Sequence, residues 1–151
     1  MKNLLKRFKE KLPEKEKHVQ DIAQCVGCSQ MLRFLLPIAN NVWRAEKKTT
    51  DPLSKEPREE MKSVHRHIDA IRRTLQDMGL EIRDHTDDPY DTGQPMKVIA
   101  SEPTVGIKGS LVKETLSPTI YLKSQISQES KIVQHGEIIV AEPVEPNVQS
   151  S

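Results

Sequence analysis

Aromatic side chains are scarce in this chain: Phe8, Phe34, Trp43, Tyr90 and Tyr121 make up 3% of its 151 residues. Aromatics supply the largest buried areas per residue, so material for one large monomeric core is thin. Helix bundles tolerate such a composition, because aliphatic seams do the packing. A homodimer is therefore expected before any motif is considered. No uncharged apolar run reaches ~18 residues, which leaves no membrane-spanning helix to expect. The N-terminus has no apolar stretch of the secretory-signal kind, so the expected location is cytoplasmic.

Charge is divided rather than absent. Residues 1–50 carry 11 Lys/Arg against 5 Asp/Glu, and residues 51–151 carry 12 against 17. The basic excess gathers in residues 1–18, where Leu4, Leu5, Phe8 and Leu12 give residues 2–12 the pattern of a short amphipathic helix before Pro13. Such a helix either lies on an anionic surface or is a solvated helix start. The basic residues are not interleaved with aromatics, so no nucleic-acid partner is expected.

What is plentiful is helical periodicity. Residues from about 16 to 48 carry an apolar stripe through Val19, Ile22, Val26, Leu32, Leu35, Leu36, Ala39, Val42 and Trp43. The stripe continues past Pro37, which predicts one kinked helix rather than two. The stretch from Thr49 to Pro57 supplies Asp51, Ser54 and prolines suited to a turn and a fresh helix start. A second stripe follows in Met61, Val64, Ile68, Ile71, Leu75 and Met78. Its alternating spacing of three and four is an a/d seam, closed by Gly79 as a C-terminal cap. Two such stripes predict an antiparallel helical hairpin over 19–78, and two hairpins would close a dimeric four-helix bundle. The expected interface residues are Leu35, Leu36, Met61, Val64, Ile68, Ile71 and Leu75.

After Gly79 the period changes. Leu80 to Arg83 is short and extended, and residues 84–95 are turn chemistry. Strand patterns follow at 96–101, 111–116, 119–122 and 137–141. The expected fold class is α+β, with a small antiparallel β-domain over 79–143. The polar tail at 144–151 has no periodicity and is expected to be disordered.

No constellation carries obvious chemistry. Cys25-Val-Gly-Cys28 has redox spacing but no strand before it. A zinc site would need two further ligands, with His65 and His67 as the candidates on the second helix. Small packed cysteines are the simpler reading. Asp84, Asp87, Asp88 and Asp91 cluster without the ligand order of a calcium loop, so they read as turn formers. No enzyme, cofactor or metal is expected, and the sequence favours a protein that binds by shape.

The order of these parts resembles the GrpE family, nucleotide exchange factors of DnaK-type (seventy-kilodalton heat-shock) chaperones. Leu35-Leu36-Pro37 with Asn40-Asn41 matches the family's kink and the step after it. Gly79-Leu80-Glu81 matches the end of its second helix, Tyr90-Asp91 its turn, and Tyr121 and Lys131 its last strands. The resemblance spans about residues 20–142 and is to a shortened, divergent member: the long N-terminal arm is reduced to residues 1–18, and Gln134 stands where a basic residue is usual. It implies a dimeric bundle and a β-domain that docks on the chaperone's ATPase domain and opens its nucleotide cleft. It further implies chaperone contacts at Lys131, with Met96, Val98, Ile138 and Val140 on the strands. The alternative is an adaptor or scaffold that keeps this shape without exchange.

Overall fold

Helical spacing between Val26 and Asp77 folds as two helices, α1 (Val26–Thr49) and α2 (Lys62–Asp77). The computed structural model describes residues 26–124 and 127–144. The basic segment 1–18, Cys25 and the tail from residue 145 lie outside the described residues, as does the side chain of Cys28. α1 is a single helix with Pro37 inside it. The chain divides at that proline into two units, 1–37 and 38–151. The described part of the first unit is the start of α1, where Met31 and Phe34 are exposed and Leu35 and Leu36 are half-buried.

Within the second unit, α1 and α2 form a hairpin. Thr49 meets His65 near the turn, and Glu46 pairs with Arg72 further from it. The turn differs from its expected form. Asp51 Oδ1 accepts from the backbone N–H groups of Leu53 and Ser54, at 2.8 and 2.9 Å. These two bonds hold the Asp51 carboxyl below its usual range. The side chain thus closes a local turn rather than capping α2. α2 instead begins after a 3₁₀ turn, Glu59–Met61, without a side-chain cap.

Gly79 ends α2 as expected. Its φ of +90° is a left-handed conformation, and its N–H donates to Gln76 O at 2.8 Å. A glycine is required on a second ground, since a Cβ there would lie 2.7 Å from Lys123 O.

Beyond Gly79 stand two three-stranded sheets. β1 (Leu80–Arg83), β4 (Thr119–Lys123) and β5 (Ser130–Gln134) form the first, in the order β1-β4-β5. β2 (Met96–Thr104), β3 (Leu111–Ser117) and β6 (Gly136–Pro143) form the second, in the order β2-β6-β3. The α+β class therefore holds, but the β region is mixed and not antiparallel: β2 and β6 run parallel, from Met96 beside Gly136 to Thr104 beside Pro143. A parallel pair needs a long crossover, and residues 105–135 supply it with three strands of their own. β5 was not anticipated as a strand.

An apolar cluster lies within the second sheet. Val112, Ile138 and Val140 pack together, with Tyr90 and Met96 against them. Leu80, Ile82 and Ile120 are buried on the first sheet, and Ile68, Leu75, Ala39, Val42 and Trp43 are buried on the helices.

The expected α2 seam splits in two. Ile68 and Leu75 are 8% and 3% exposed and belong to the chain's own core, whereas Val64, Ile71 and Met78 keep 49%, 46% and 45% of their surface. The reason is angular. Residues seven apart stay on one line of a helix, so within α2 the line of Ile68 and Leu75 is covered and the other is open, while Met61, in the 3₁₀ turn before α2, stays 37% exposed. Ile68 and Leu75 are therefore corrected from dimer contacts to core residues.

Candidate functional site

A polar seam fixes the β region to the helices. Asn40 and Gln134 exchange amide hydrogen bonds at 2.8 and 3.0 Å. Gln134 Nε2 also reaches Pro118 O at 2.9 Å and Ser117 Oγ at 3.2 Å. One turn along α1, Trp43 Nε1 donates to Asp84 Oδ2 at 2.7 Å. Lys47 lies 4.7 Å from the centre of the Trp43 ring and 3.5 Å from Asp84 Oδ2, and donates to Thr115 O at 3.2 Å. Burial pushes the Asp84 carboxyl up, but the Thr86 hydroxyl and N–H, the Trp43 N–H and Lys47 outweigh it and hold it at about 2. Asp84 is thus a charged anchor at the helix–sheet joint.

The two sheets are joined by a second polar chain. His85 Nε2 lies 2.8 Å from Thr119 Oγ1, which accepts from the Gly136 N–H at 3.1 Å. The His85 N–H donates to Thr115 Oγ1 at 3.0 Å. Burial pushes the imidazole below its ordinary value, against the opposing pull of Asp88. A third tie is Arg72, which pairs with Glu46 and donates to Ile82 O at 2.8 Å, so that one guanidinium holds α1, α2 and β1. Burial raises the Glu46 carboxyl, with Arg72 pulling the other way.

Of the aspartate cluster, Asp84 belongs to these joints and the others have local partners. Asp84 faces Trp43, Asp87 pairs with Lys55, and Asp88 lies within 3.5 Å of Arg83. The Asp91 carboxylate is turned to its own turn, 3.5 Å from the Gly93 N–H. Among the described residues no three His, Cys, Asp or Glu side chains gather as metal ligands. His65 Nδ1 is 2.9 Å from Thr49 Oγ1, turned toward α1, while His67 is exposed. A hollow of about 300 Å³ at the α2–β1 joint is lined by Arg72, Gln76, Gly79, Glu81 and Lys123 among others. Its charges are already paired, Arg72 with Glu46 and Lys123 with Glu81.

The strand residues expected to meet a partner differ in exposure. Ile138 and Val140 are 0% and 1% exposed and form the centre of an apolar cluster. They are corrected from contacts to core: β6 is the middle strand of its sheet, so alternate residues on it face inward. Met96 is half-buried against that cluster. Val98 and Ile99 are exposed on β2, an edge strand, and Lys131 is exposed on β5, the edge of the other sheet. The polar seam was not anticipated as a unit. Asn40 lies inside an apolar stripe, between Ala39 and Val42, and a polar residue in that position was the available signal.

No model of a known protein family matches the chain, and no curated protein matches it. Among the described residues no helix is long and apolar enough to cross a membrane.

Proposed function

We propose that this chain acts as a GrpE-like co-chaperone, a nucleotide exchange factor for a DnaK-type chaperone. The reading rests on the order of parts, a helical hairpin followed by a small two-sheet β region. One observation carries it furthest: Asn40, Trp43, Lys47 and Arg72 tie that β region to the helices. A β region anchored in this way can transmit force to a partner without chemistry of its own. In this mechanism the β region docks on the ATPase domain and prefers the conformer with an open nucleotide cleft. Nucleotide then weakens the complex by the same factor that the complex weakens nucleotide. The contacts are Lys131 and the β2 edge with Val98, Met96 supporting them from the core side. A homodimer, assembled through the open line of α2, would present two such β regions.

The test is the rate of ADP release from a DnaK-type ATPase domain, with and without this protein. Acceleration that falls at least tenfold in Lys131→Glu supports the reading. No acceleration, with no complex in the nucleotide-free state, overturns it. A second reading, an adaptor that binds without exchange, is favoured by Gln134: its amide is turned inward to Asn40 and Pro118 and offers no cation to a partner. A complex without any change in ADP release would select it.

A further inference from the structure

His85 sits where the two sheets meet, and both of its ring nitrogens are engaged. It lies just after β1 and is buried. Its Nε2 is 2.8 Å from Oγ1 of Thr119, the first residue of β4, and its Nδ1 is 3.4 Å from Asp88 Oδ2. One edge of the ring thus meets a half-exposed carboxylate and the other a fully buried hydroxyl. Thr119 Oγ1 in turn accepts from the N–H of Gly136, the first residue of β6, at 3.1 Å. A Cβ on residue 136 would lie 2.6 Å from that oxygen, so only glycine lets the hydroxyl come this close to the backbone.

These contacts fix the direction of each hydrogen. The Gly136 N–H occupies one lone pair of Thr119 Oγ1. Among the described residues the acceptor for the hydroxyl's own hydrogen is His85 Nε2. An accepting Nε2 carries no proton, so the ring's single proton is on Nδ1, facing the Asp88 carboxylate.

We infer that Gly136, Thr119, His85 and Asp88 form a proton-operated latch between the two sheets: the ring is held as its Nδ1–H tautomer, and a second proton, on Nε2, parts the start of β6 from the start of β4. A proton on Nε2 would point at the hydrogen of the Thr119 hydroxyl. The hydroxyl can turn to accept it, but its own hydrogen is then left without an acceptor in a buried site. The charged groups acting on the ring are Asp88 and Asp84, which favour the added proton, and Arg83, which opposes it. β3 and β4 face His85 with the uncharged hydroxyls of Thr115 and Thr119. Burial outweighs the two carboxylates and keeps the ring neutral below its ordinary value.

The closed latch therefore excludes the second proton, and the opened latch takes it up. A histidine in water gains its proton around pH 6.5. With protonation confined to the opened form, opening becomes about tenfold more frequent at pH 5.5 than at pH 7.5. The latch does not depend on which partner the β region binds.

The experiment is amide hydrogen exchange by NMR at pH 7.5 and 5.5, on the full chain and on His85→Gln, with each rate compared with that of an unstructured peptide at the same pH. Glutamine can still accept from Thr119 but does not titrate. The nitrogen shifts of the wild-type ring at pH 7.5 report its tautomer. The expected result is an Nδ1–H ring and a Gly136 amide less protected than that of Val140, in the same strand, at both pH values. Protection of Gly136 should fall about tenfold at pH 5.5 in the wild type and less than threefold in H85Q. An Nε2–H ring overturns the hydrogen directions and the latch with them. Gly136 as protected as Val140 shows that the joint opens only with the whole fold, which also overturns it. So does a Gly136 protection that holds at pH 5.5 or falls equally in H85Q. The wild-type measurements decide the matter on their own if H85Q does not fold.

Discussion

Asn40 and Gln134 are 94 residues apart in sequence and hold each other by two reciprocal amide hydrogen bonds. Each side chain satisfies the other, and Gln134 also reaches the carbonyl of Pro118, just before β4. A partly buried amide stripped of its partner keeps its desolvation cost, so the pair is worth more broken than made. Asn40→Ala and Gln134→Ala should each lower stability by about 1–2 kcal/mol in urea unfolding. The double variant should lose clearly less than the two together, with a coupling of about 0.5 kcal/mol or more. Full additivity would show that the pair carries no coupling.

Acid should weaken the fold in two stages of different origin. His85 has its folded value pushed below the ordinary 6.5. The unfolded chain therefore takes up that proton first, and stability falls as pH drops through 6.5. Asp84 is held at about 2 against an ordinary 3.8, so its contribution is complete above about 4 and is lost as pH falls toward 2. Asp84→Asn should remove the lower stage, of order 1–2 kcal/mol. His85→Gln should remove the upper one. Urea midpoints measured from pH 7.5 to pH 2.5 separate them, and an unchanged lower limb in D84N would refute the anchor role of Asp84.

Gly79→Ala should be among the most costly small substitutions. The backbone is at φ +90° and the new methyl would meet Lys123 O at 2.7 Å. Strain of about 1–3 kcal/mol is expected, read as a lower melting temperature. Gly106 also has a positive φ, +87°, but a Cβ there has nothing within 4 Å. Gly106→Ala should therefore cost about 1 kcal/mol and less than Gly79→Ala.

The two lines of α2 should respond differently to the same charge. Ile68→Asp puts a carboxylate at a site 8% exposed, within the chain's own core, and should cost several kcal/mol of folding stability, about 3 or more. Ile71→Asp changes a side chain that is 46% exposed. It should leave the monomer's melting within about 0.5 kcal/mol of the parent and abolish self-association. A dimer that survives I71D, seen by sedimentation, would place the contact elsewhere.

The helices and the change of period at Gly79 were legible because they follow from local rules. A left-handed cap needs glycine, and spacing of three and four marks a helix stripe. Which half of the α2 stripe is covered was not legible. Val64 and Ile71 have the same chemistry as Ile68 and Leu75, and only the position of α1 and the sheets separates them. Ile138 and Val140 were misplaced on the surface for a related reason. An alternating strand shows which residues share a face, but whether the strand lies at an edge or in the middle is settled by distant neighbours. The parallel pairing of β2 with β6 is of the same kind, since no local pattern records strand direction. The polar seam left only a trace, the amide of Asn40 in an apolar stripe.

The order β2-β6-β3 also sets a schedule for folding. The strand that comes last along the chain is the one that the other two flank, so neither β2 nor β3 has a sheet neighbour until synthesis has passed Pro143. Nascent chains shorter than that carry two unpaired strands with exposed edges, the condition in which strands join wrong partners. A stop codon a few residues before Gly136 would delete one strand in length but a whole sheet in structure. The second sheet is therefore all-or-none with respect to its final strand, and partial products of this chain should need holding by a chaperone until β6 arrives.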